Sequence, residues 1–140
     1  MSETIHACCV AIGGRGVLIA GPSGSGKSDL ALRLLDRGAV LVSDDYTILE
    51  AREGRLFASP PGTIAGKLEL RGVGIVERPF VVDIPVALLI DTGSTPERLP
   101  EGGSRTISDI SVPSVVLAAL EASAPIKVEA ALLLHGLAPS

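Results

Sequence analysis

Residues 21 to 28 read Gly-Pro-Ser-Gly-Ser-Gly-Lys-Ser and fit the pattern G-x-x-x-x-G-K-[ST] of a phosphate-binding loop. The four apolar residues before the loop, 17 to 20, are typical of a strand. Residues 29 to 38 place leucines on one helical face and a glycine where the helix would end. A strand, such a loop and a helix in this order bring backbone NH groups and a helix amino terminus to phosphate. The chain is therefore predicted to be an α/β protein with a nucleotide site.

The residue types of this loop suit the phosphates of ATP. Glycines adopt backbone conformations closed to other residues and let NH groups approach phosphate oxygens closely, and the following helix adds the positive end of its dipole. Lys27 is expected to reach the β and γ phosphates, and the Ser28 hydroxyl is expected to ligate Mg²⁺. The predicted ATP-binding residues are Gly21, Pro22, Ser23, Gly24, Ser25, Gly26, Lys27 and Ser28.

The composition predicts one domain, residues 1–140, with an aliphatic core. A domain of about this size buries roughly two-thirds of its unfolded surface. The chain is 46% hydrophobic but contains one Tyr, two Phe and no Trp, so aliphatic side chains must fill the core. Cys8 and Cys9 lie in an apolar stretch and are predicted to be reduced core thiols rather than a disulfide or a metal site.

Charge and hydropathy limit the partners and the location of the chain. The net charge of −4 and the lack of a basic run argue against a nucleic-acid-binding surface. The amino terminus lacks the features of a secretory signal, and the longest apolar segment, around 86 to 90, is too short to span a bilayer. We expect a cytoplasmic protein whose partner is a protein or a small molecule, with no membrane contact.

The remaining pattern predicts a strand-rich mixed sheet with few helices. The predicted strands are 7–12, 17–20, 39–42, 46–50, 55–58, 73–76 and 80–90, followed by a polar loop at 94–104 and helices near 114–121 and 126–134.

Asp44 and Asp45 follow the apolar strand 39–42 and form a second candidate feature. Consecutive strand side chains point to opposite faces, so the pair can serve two purposes from one place. In phosphate-loop enzymes a carboxylate at such a strand end lies beside Mg²⁺ and the attacking oxygen. An Asp-Asp pair is also common in simple turns. Its position one helix and one strand after the phosphate loop favours the catalytic interpretation.

Four segments together resemble one family. They are a histidine before the first strand (His6), GPSGSGKSD at 21–29, RGAVLVSDD at 37–45 and LELRGVGIV at 68–76. In this order they are similar to the catalytic domain of the HPr kinase/phosphorylase family, whose members phosphorylate a serine of the phosphocarrier protein HPr. The resemblance implies a P-loop (Walker A) kinase domain of the phosphoenolpyruvate carboxykinase type, and ATP and Mg²⁺ as cofactors.

The resemblance also implies roles for individual residues. Asp44 would take the proton from the attacking serine hydroxyl, and would return one when inorganic phosphate attacks phosphoserine. His6 and Asp45 would adjust the proton affinity of Asp44, and Lys27 would be a further catalytic residue. Glu69 would complete the Mg²⁺ site with Ser28. The resemblance further implies that Arg71 stabilises phosphate.

The resemblance implies HPr or an HPr-like protein as the partner, and a homo-oligomer, because the family is hexameric.

The sequence departs from the family pattern at two places. Pro22 stands where Asp is usual, and the Pro-x-x-x-Gly-Arg-Asn run is lacking; its place is taken by 121–129, with Lys127 as its one cation. We expect a catalytic domain without an amino-terminal regulatory domain, of the type found in alphaproteobacteria, acting in regulation with weak phosphorylase activity. A small-molecule kinase and a non-catalytic ATP-binding regulator are the alternatives.

Overall fold

The computed structural model describes residues 2–98 and 102–139. The strands and helices in chain order are β1 Ser2–Ile5, β2 Ala7–Ile12, β3 Arg15–Ala20, α1 Lys27–Asp36, β4 Val40–Ser43, β5 Thr47–Arg52, β6 Arg55–Ser59, β7 Lys67–Leu70, β8 Gly74–Glu77, β9 Ile84–Asp91, β10 Gly103–Ile107, β11 Ile110–Val116 and α2 Ala124–His135. The fold is mixed α/β and rich in strands, as the sequence predicts. Within the described ranges, neither helix has the length and apolar character needed to cross a membrane.

A nine-stranded curled sheet forms the frame of the molecule, in the order β1-β5-β6-β9-β3-β2-β4, with β11 paired to β9 and β10 paired to β11. Strand β9 runs parallel to both β3 and β11, so the carboxyl ends of these three strands lie at one edge. Ligands of α/β sheets bind outside the carboxyl ends of strands. The glycine-rich loop 21–26 leaves β3 at this edge.

Side chains on the two faces of the sheet form two separate buried clusters. Strand β2 shows the alternation directly: Cys8 and Val10 face the helices, whereas Cys9 and Ala11 face the inside of the curl. Helix α1 lies on the first face because four residues of its apolar stripe are buried there: Leu30, Ala31, Leu34 and Leu35. The helix is thereby held against β2 and β3, and the loop between β3 and α1 is fixed at both ends.

The core is aliphatic, as predicted, and both cysteines are free and buried in it. Strand 7–12 is confirmed as β2, and strand 17–20 begins two residues earlier, at Arg15. The hairpin 46–50 and 55–58 is confirmed as β5 and β6, and the predicted strand 80–90 begins only at Ile84.

The predicted helix over 114–121 is wrong. Residues 110–116 form β11, which pairs with β9 on one side and β10 on the other. Four β-branched residues in this segment, at 110, 112, 115 and 116, suit a strand better than a helix. The second predicted helix, 126–134, is confirmed within α2. The predicted loop 94–104 includes the start of β10 at Gly103, and its residues 99–101 lie outside the described ranges.

Candidate active site

The glycine-rich loop 21–26 adopts a conformation that requires its glycines. Gly21, Gly24 and Gly26 have φ angles of 150°, 83° and 96°, which side-chain-bearing residues rarely adopt. A Cβ atom on Gly26 would also lie 2.7 Å from Leu120 Cδ2. The loop therefore needs glycine at these positions, and position 26 leaves no room for a side chain beside Leu120.

Lys27, the first residue of α1, lies over this loop. Its side chain is buried, and Nζ donates hydrogen bonds to the carbonyl oxygens of Gly21 at 2.8 Å and Pro22 at 3.1 Å. The ammonium group therefore stands beside the loop and the amino terminus of α1. A helix amino terminus carries partial positive charge, so this end of the site is suited to an anion.

Thr92 braces the loop from the neighbouring strand. Its hydroxyl group lies 2.8 Å from Ser25 Oγ and donates a hydrogen bond of 2.8 Å to the carbonyl oxygen of Ala20. Thr92 follows β9 directly. The carboxyl end of β9 therefore fixes the middle of the loop as well as its beginning. The one signal for Thr92 in the sequence is its position after the apolar run 86–90 and Asp91.

Asp44, at the end of β4, is buried and accepts hydrogen bonds on both carboxylate oxygens. Its Oδ1 accepts from Ser28 Oγ at 2.8 Å and from Cys8 Sγ at 3.4 Å. Its Oδ2 accepts from the backbone NH of Glu69 at 3.1 Å. Three donors from β2, α1 and β7 thus converge on one carboxylate whose residue is only 7% exposed.

Asp45 turns the other way, toward solvent. Its side chain is 57% exposed, and Oδ1 lies 2.8 Å from His6 Nε2. His6 sits between β1 and β2, and its ring packs against Tyr46 with centroids 5.1 Å apart. The backbone of Asp45 has a φ of 69°, in the left-handed region. The Asp44-Asp45 pair thus has one buried and one exposed carboxylate, but it lies after the end of β4 at Ser43, so a turn with a left-handed residue separates the two side chains and not the predicted strand alternation.

An open cavity of about 950 Å³ brings most of these groups together. Six of the lining residues have charged or titratable side chains: His6, Lys27, Asp29, Asp45, Glu69 and Arg71. Ser23, Gly24, Gly26 and Ser28 line the same cavity. Asp44 lies behind the wall and touches the cavity residues through Ser28 and Glu69.

The donor set of this cavity fits Mg²⁺ bound together with a nucleotide. Glu69 and Ser28 both line the cavity and both hydrogen-bond to Asp44, Glu69 through its backbone NH. Mg²⁺ is usually held by one or two protein carboxylates together with substrate phosphates and water, rather than by a cage made only of protein. The described residues contain no group of three or more His, Cys, Asp or Glu side chains that could hold a metal alone.

The two cysteines are neutral thiols at neutral pH. Burial raises the pKa of Cys8 to about 12, although the NH of Asp45 acts in the opposite direction. Burial also raises the pKa of Cys9, and the neighbouring Cys8 adds to this effect. Neither thiol is exposed, so both are protected from reagents in solution.

The segment between β11 and α2 also reaches the site. Arg33 on α1 donates hydrogen bonds to the carbonyl oxygens of Ala119 and Glu121, the latter at 2.8 Å, and pairs with Asp29 at 3.0 Å. These bonds hold Leu120 against Gly26 at the rim of the cavity. Nothing in the sequence alone pointed to Arg33 or Leu120, because the contact joins residues almost ninety positions apart.

Comparison with known proteins gives one consistent result. A family model described as "HPr Serine kinase C-terminal domain" matches residues 1–81. The HPr kinase/phosphorylase of Clostridium tetani is 42% identical over 88 residues, which cover 63% of this chain and 29% of the relative. That of Streptococcus thermophilus is 47% identical over 75 residues, covering 53% and 24%. The chain thus spans less than a third of the length of these curated relatives.

A solved structure extends the similarity to almost the whole chain. The Hpr(Ser) kinase/phosphatase from Coxiella burnetii is 31% identical, with a TM-score of 0.82 and coverage of 95% of both chains. The family model covers more than half of the sequence, and the structural match covers both halves. The chain belongs to the family of the HPr serine kinase C-terminal domain.

Proposed function

We propose that this chain is an ATP-dependent protein serine kinase that phosphorylates HPr or an HPr-like phosphocarrier protein. The observation that carries the proposal is the meeting of a glycine-rich loop, Lys27 and the His6–Asp45 pair in one open cavity. A phosphate donor and a proton acceptor can then act on the same hydroxyl group. The names of the related proteins agree with this reaction.

Positioning and charge compensation carry most of the catalysis in phosphoryl transfer. In the proposed complex the loop NH groups and the amino terminus of α1 hold the ATP phosphates, and Lys27 neutralises charge on the β and γ phosphates. Ser28 and Glu69 would hold Mg²⁺, which when bound neutralises phosphate charge. Arg71, which lines the cavity, would contact the transferred phosphoryl group. We also propose that the fold is a P-loop kinase domain of the phosphoenolpyruvate carboxykinase type.

The geometry favours Asp45 rather than Asp44 as the base, which differs from the role expected from the sequence. Asp44 is buried and already accepts bonds from three donors. Asp45 lines the cavity and is held by His6, so an incoming serine hydroxyl can reach its carboxylate. We assign to Asp44 the task of orienting Ser28: it accepts a hydrogen bond from the Ser28 hydroxyl group, which turns the oxygen lone pairs toward the position that Mg²⁺ would take.

We propose that phosphorolysis, the reverse attack of inorganic phosphate on phosphoserine, is weak. Lys127 pairs with Glu121 at 3.2 Å and is not among the residues that line the cavity. Arg105 pairs with Asp91 at 3.6 Å. Arg71 is thus the arginine best placed to hold phosphate. The contact that is lost is that of the arginine in the missing Gly-Arg-Asn run. Free phosphate lacks the adenosine anchor of ATP, so the reverse reaction depends more on each phosphate contact. Loss of one charged contact corresponds to about a tenfold loss in rate, so we expect dephosphorylation at millimolar phosphate to be about tenfold slower than phosphorylation. Equal rates on the same partner would contradict this.

The kinase assignment is tested with labelled ATP and the HPr-like protein encoded in the same genome. We expect label on one serine of the partner, and none when that serine is replaced by alanine. Transfer to a metabolite instead would indicate a small-molecule kinase. ATP binding without any transfer would indicate a regulator. The same purified protein, analysed by sedimentation, tests the proposed homo-oligomer.

A further inference from the structure

We propose that Cys8 is a positioning residue of the site, whose thiol fixes the orientations of Asp44, Ser28 and the Asp45 backbone. The inference rests on the proposed function, because it concerns the same Mg²⁺–nucleotide site. It assigns a task to a buried side chain that otherwise would be counted as core. Cys8 touches no substrate and is not a catalytic residue.

The contacts of the thiol carry this inference. Cys8 Sγ lies 3.4 Å from Asp44 Oδ1, to which it donates, and 3.4 Å from the NH of Asp45, from which it accepts. It also lies 3.7 Å from Ser28 Oγ. A thiol is both a weak donor and a weak acceptor. One sulfur atom therefore meets groups from α1 and from both residues of the acidic pair.

These contacts act on the two carboxylates in different ways. The bond to Oδ1 keeps the Asp44 carboxylate in the orientation in which the same oxygen accepts from Ser28. The bond from the NH of Asp45 supports a backbone with a φ of 69°, in the left-handed region that few residues other than Gly, Asn and Asp adopt. That turn directs the Asp45 side chain toward His6 and the cavity.

Cys9 offers a matched control for packing. It is the next residue of the same strand, is equally buried, and belongs to the cluster on the other face of the sheet. Within the described part of the chain, its thiol has no contact with Ser28 or the acidic pair; it lies 3.9 Å from the carbonyl oxygen of Val10 and also interacts with the backbone of Val17. Replacing Cys9 removes a similar volume of buried sulfur without changing the acidic pair.

The test compares Cys8→Ala, Cys8→Ser, Cys9→Ala and Cys9→Ser. Calorimetric titration of ATP at a series of Mg²⁺ concentrations, without a protein acceptor, gives the Mg²⁺ concentration for half-maximal binding. Loss of a group that orients a metal ligand typically costs 10–100-fold in metal affinity or activity, so we expect Cys8→Ala to raise this concentration about tenfold. Cys8→Ser should restore it to near the wild-type value, because a hydroxyl donates and accepts in the same place. Both Cys9 variants should match the wild type.

Thermal unfolding of each variant separates positioning from stability. We expect Cys8→Ala and Cys9→Ala to lower Tm by similar amounts, while only Cys8→Ala changes Mg²⁺ dependence. If Cys8→Ala does not fold, Cys8→Val deletes the same hydrogen bonds while filling the space. Equal Mg²⁺ dependence in the Cys8 and Cys9 alanine variants, or failure of Cys8→Ser to restore binding, would overturn the inference.

The binding measurement also keeps this inference separate from the kinase proposal. If the wild-type protein binds ATP with Mg²⁺ but transfers no phosphate, the kinase proposal fails and the Cys8 variants still decide the role of the thiol. If the wild-type protein shows no Mg²⁺-dependent ATP binding, both are wrong. If transfer occurs and the Cys8 variants behave as the wild type, only the positioning role is refuted.

Discussion

Replacement of Lys27 by alanine is expected to reduce phosphoryl transfer at least about 100-fold, the usual scale for losing one preorganised donor at a site of developing charge. The side chain is only 6% exposed and stands over the loop carbonyls of Gly21 and Pro22. In the proposed complex the same ammonium group neutralises the β and γ phosphates. Its loss should therefore weaken ATP binding as well as turnover.

The measurement combines a transfer assay with calorimetry of ATP binding. Lys127→Ala is the matched control, because Lys127 is exposed on α2 and pairs with Glu121 away from the cavity lining. We expect the control to transfer phosphate at the wild-type rate. Transfer by Lys27→Ala within a few-fold of the wild type would place the phosphates elsewhere and contradict the assignment of the loop.

Local sequence pattern was sufficient for the part of the fold that carries the loop. The apolar run 17–20 and the helical stripe of Leu30, Leu34 and Leu35 are short-range signals, and both elements formed, although the strand begins two residues earlier than predicted. Strand β11 pairs both with β10, in a hairpin, and with β9, more than twenty residues earlier in the chain. The apolar residues of 114–121 satisfy a helical as well as an extended pattern, so pairing with these two strands decides between them.

Local sequence pattern is also insufficient to predict which side chains face the candidate site. Strand alternation predicted opposite directions for Asp44 and Asp45, but the pair lies in a turn after β4, and alternation does not state which side chain faces the cavity. That depends on β2 and β7, which cover Asp44 with Cys8 and the NH of Glu69. His6 reaches Asp45 because β1, an unpredicted and largely polar strand, pairs with β5. No local pattern encodes these contacts.

Asp45→Asn is expected to reduce kinase turnover about 10²–10⁴-fold, the range for loss of a positioned general base. Asparagine keeps the size of the side chain and tolerates the left-handed backbone that Asp45 adopts, with φ at 69°. ATP binding and Tm should therefore stay close to the wild-type values. Initial rates of transfer, calorimetry and thermal unfolding on one preparation measure the three quantities together.

Asp44→Asn should give the opposite profile, because an amide cannot accept on both of its terminal atoms. Its NH₂ group would face one of the donors that the carboxylate now accepts, either the pair Ser28 and Cys8 or the NH of Glu69. A buried group left unpaired costs about 1–3 kcal/mol, which corresponds to a fall in Tm of about 4 °C for each kcal/mol. When the NH₂ group faces Ser28, that hydroxyl group loses its acceptor, so more Mg²⁺ should be needed for ATP binding. An unchanged Tm with abolished turnover in Asp44→Asn, together with an active Asp45→Asn, would return the role of base to Asp44.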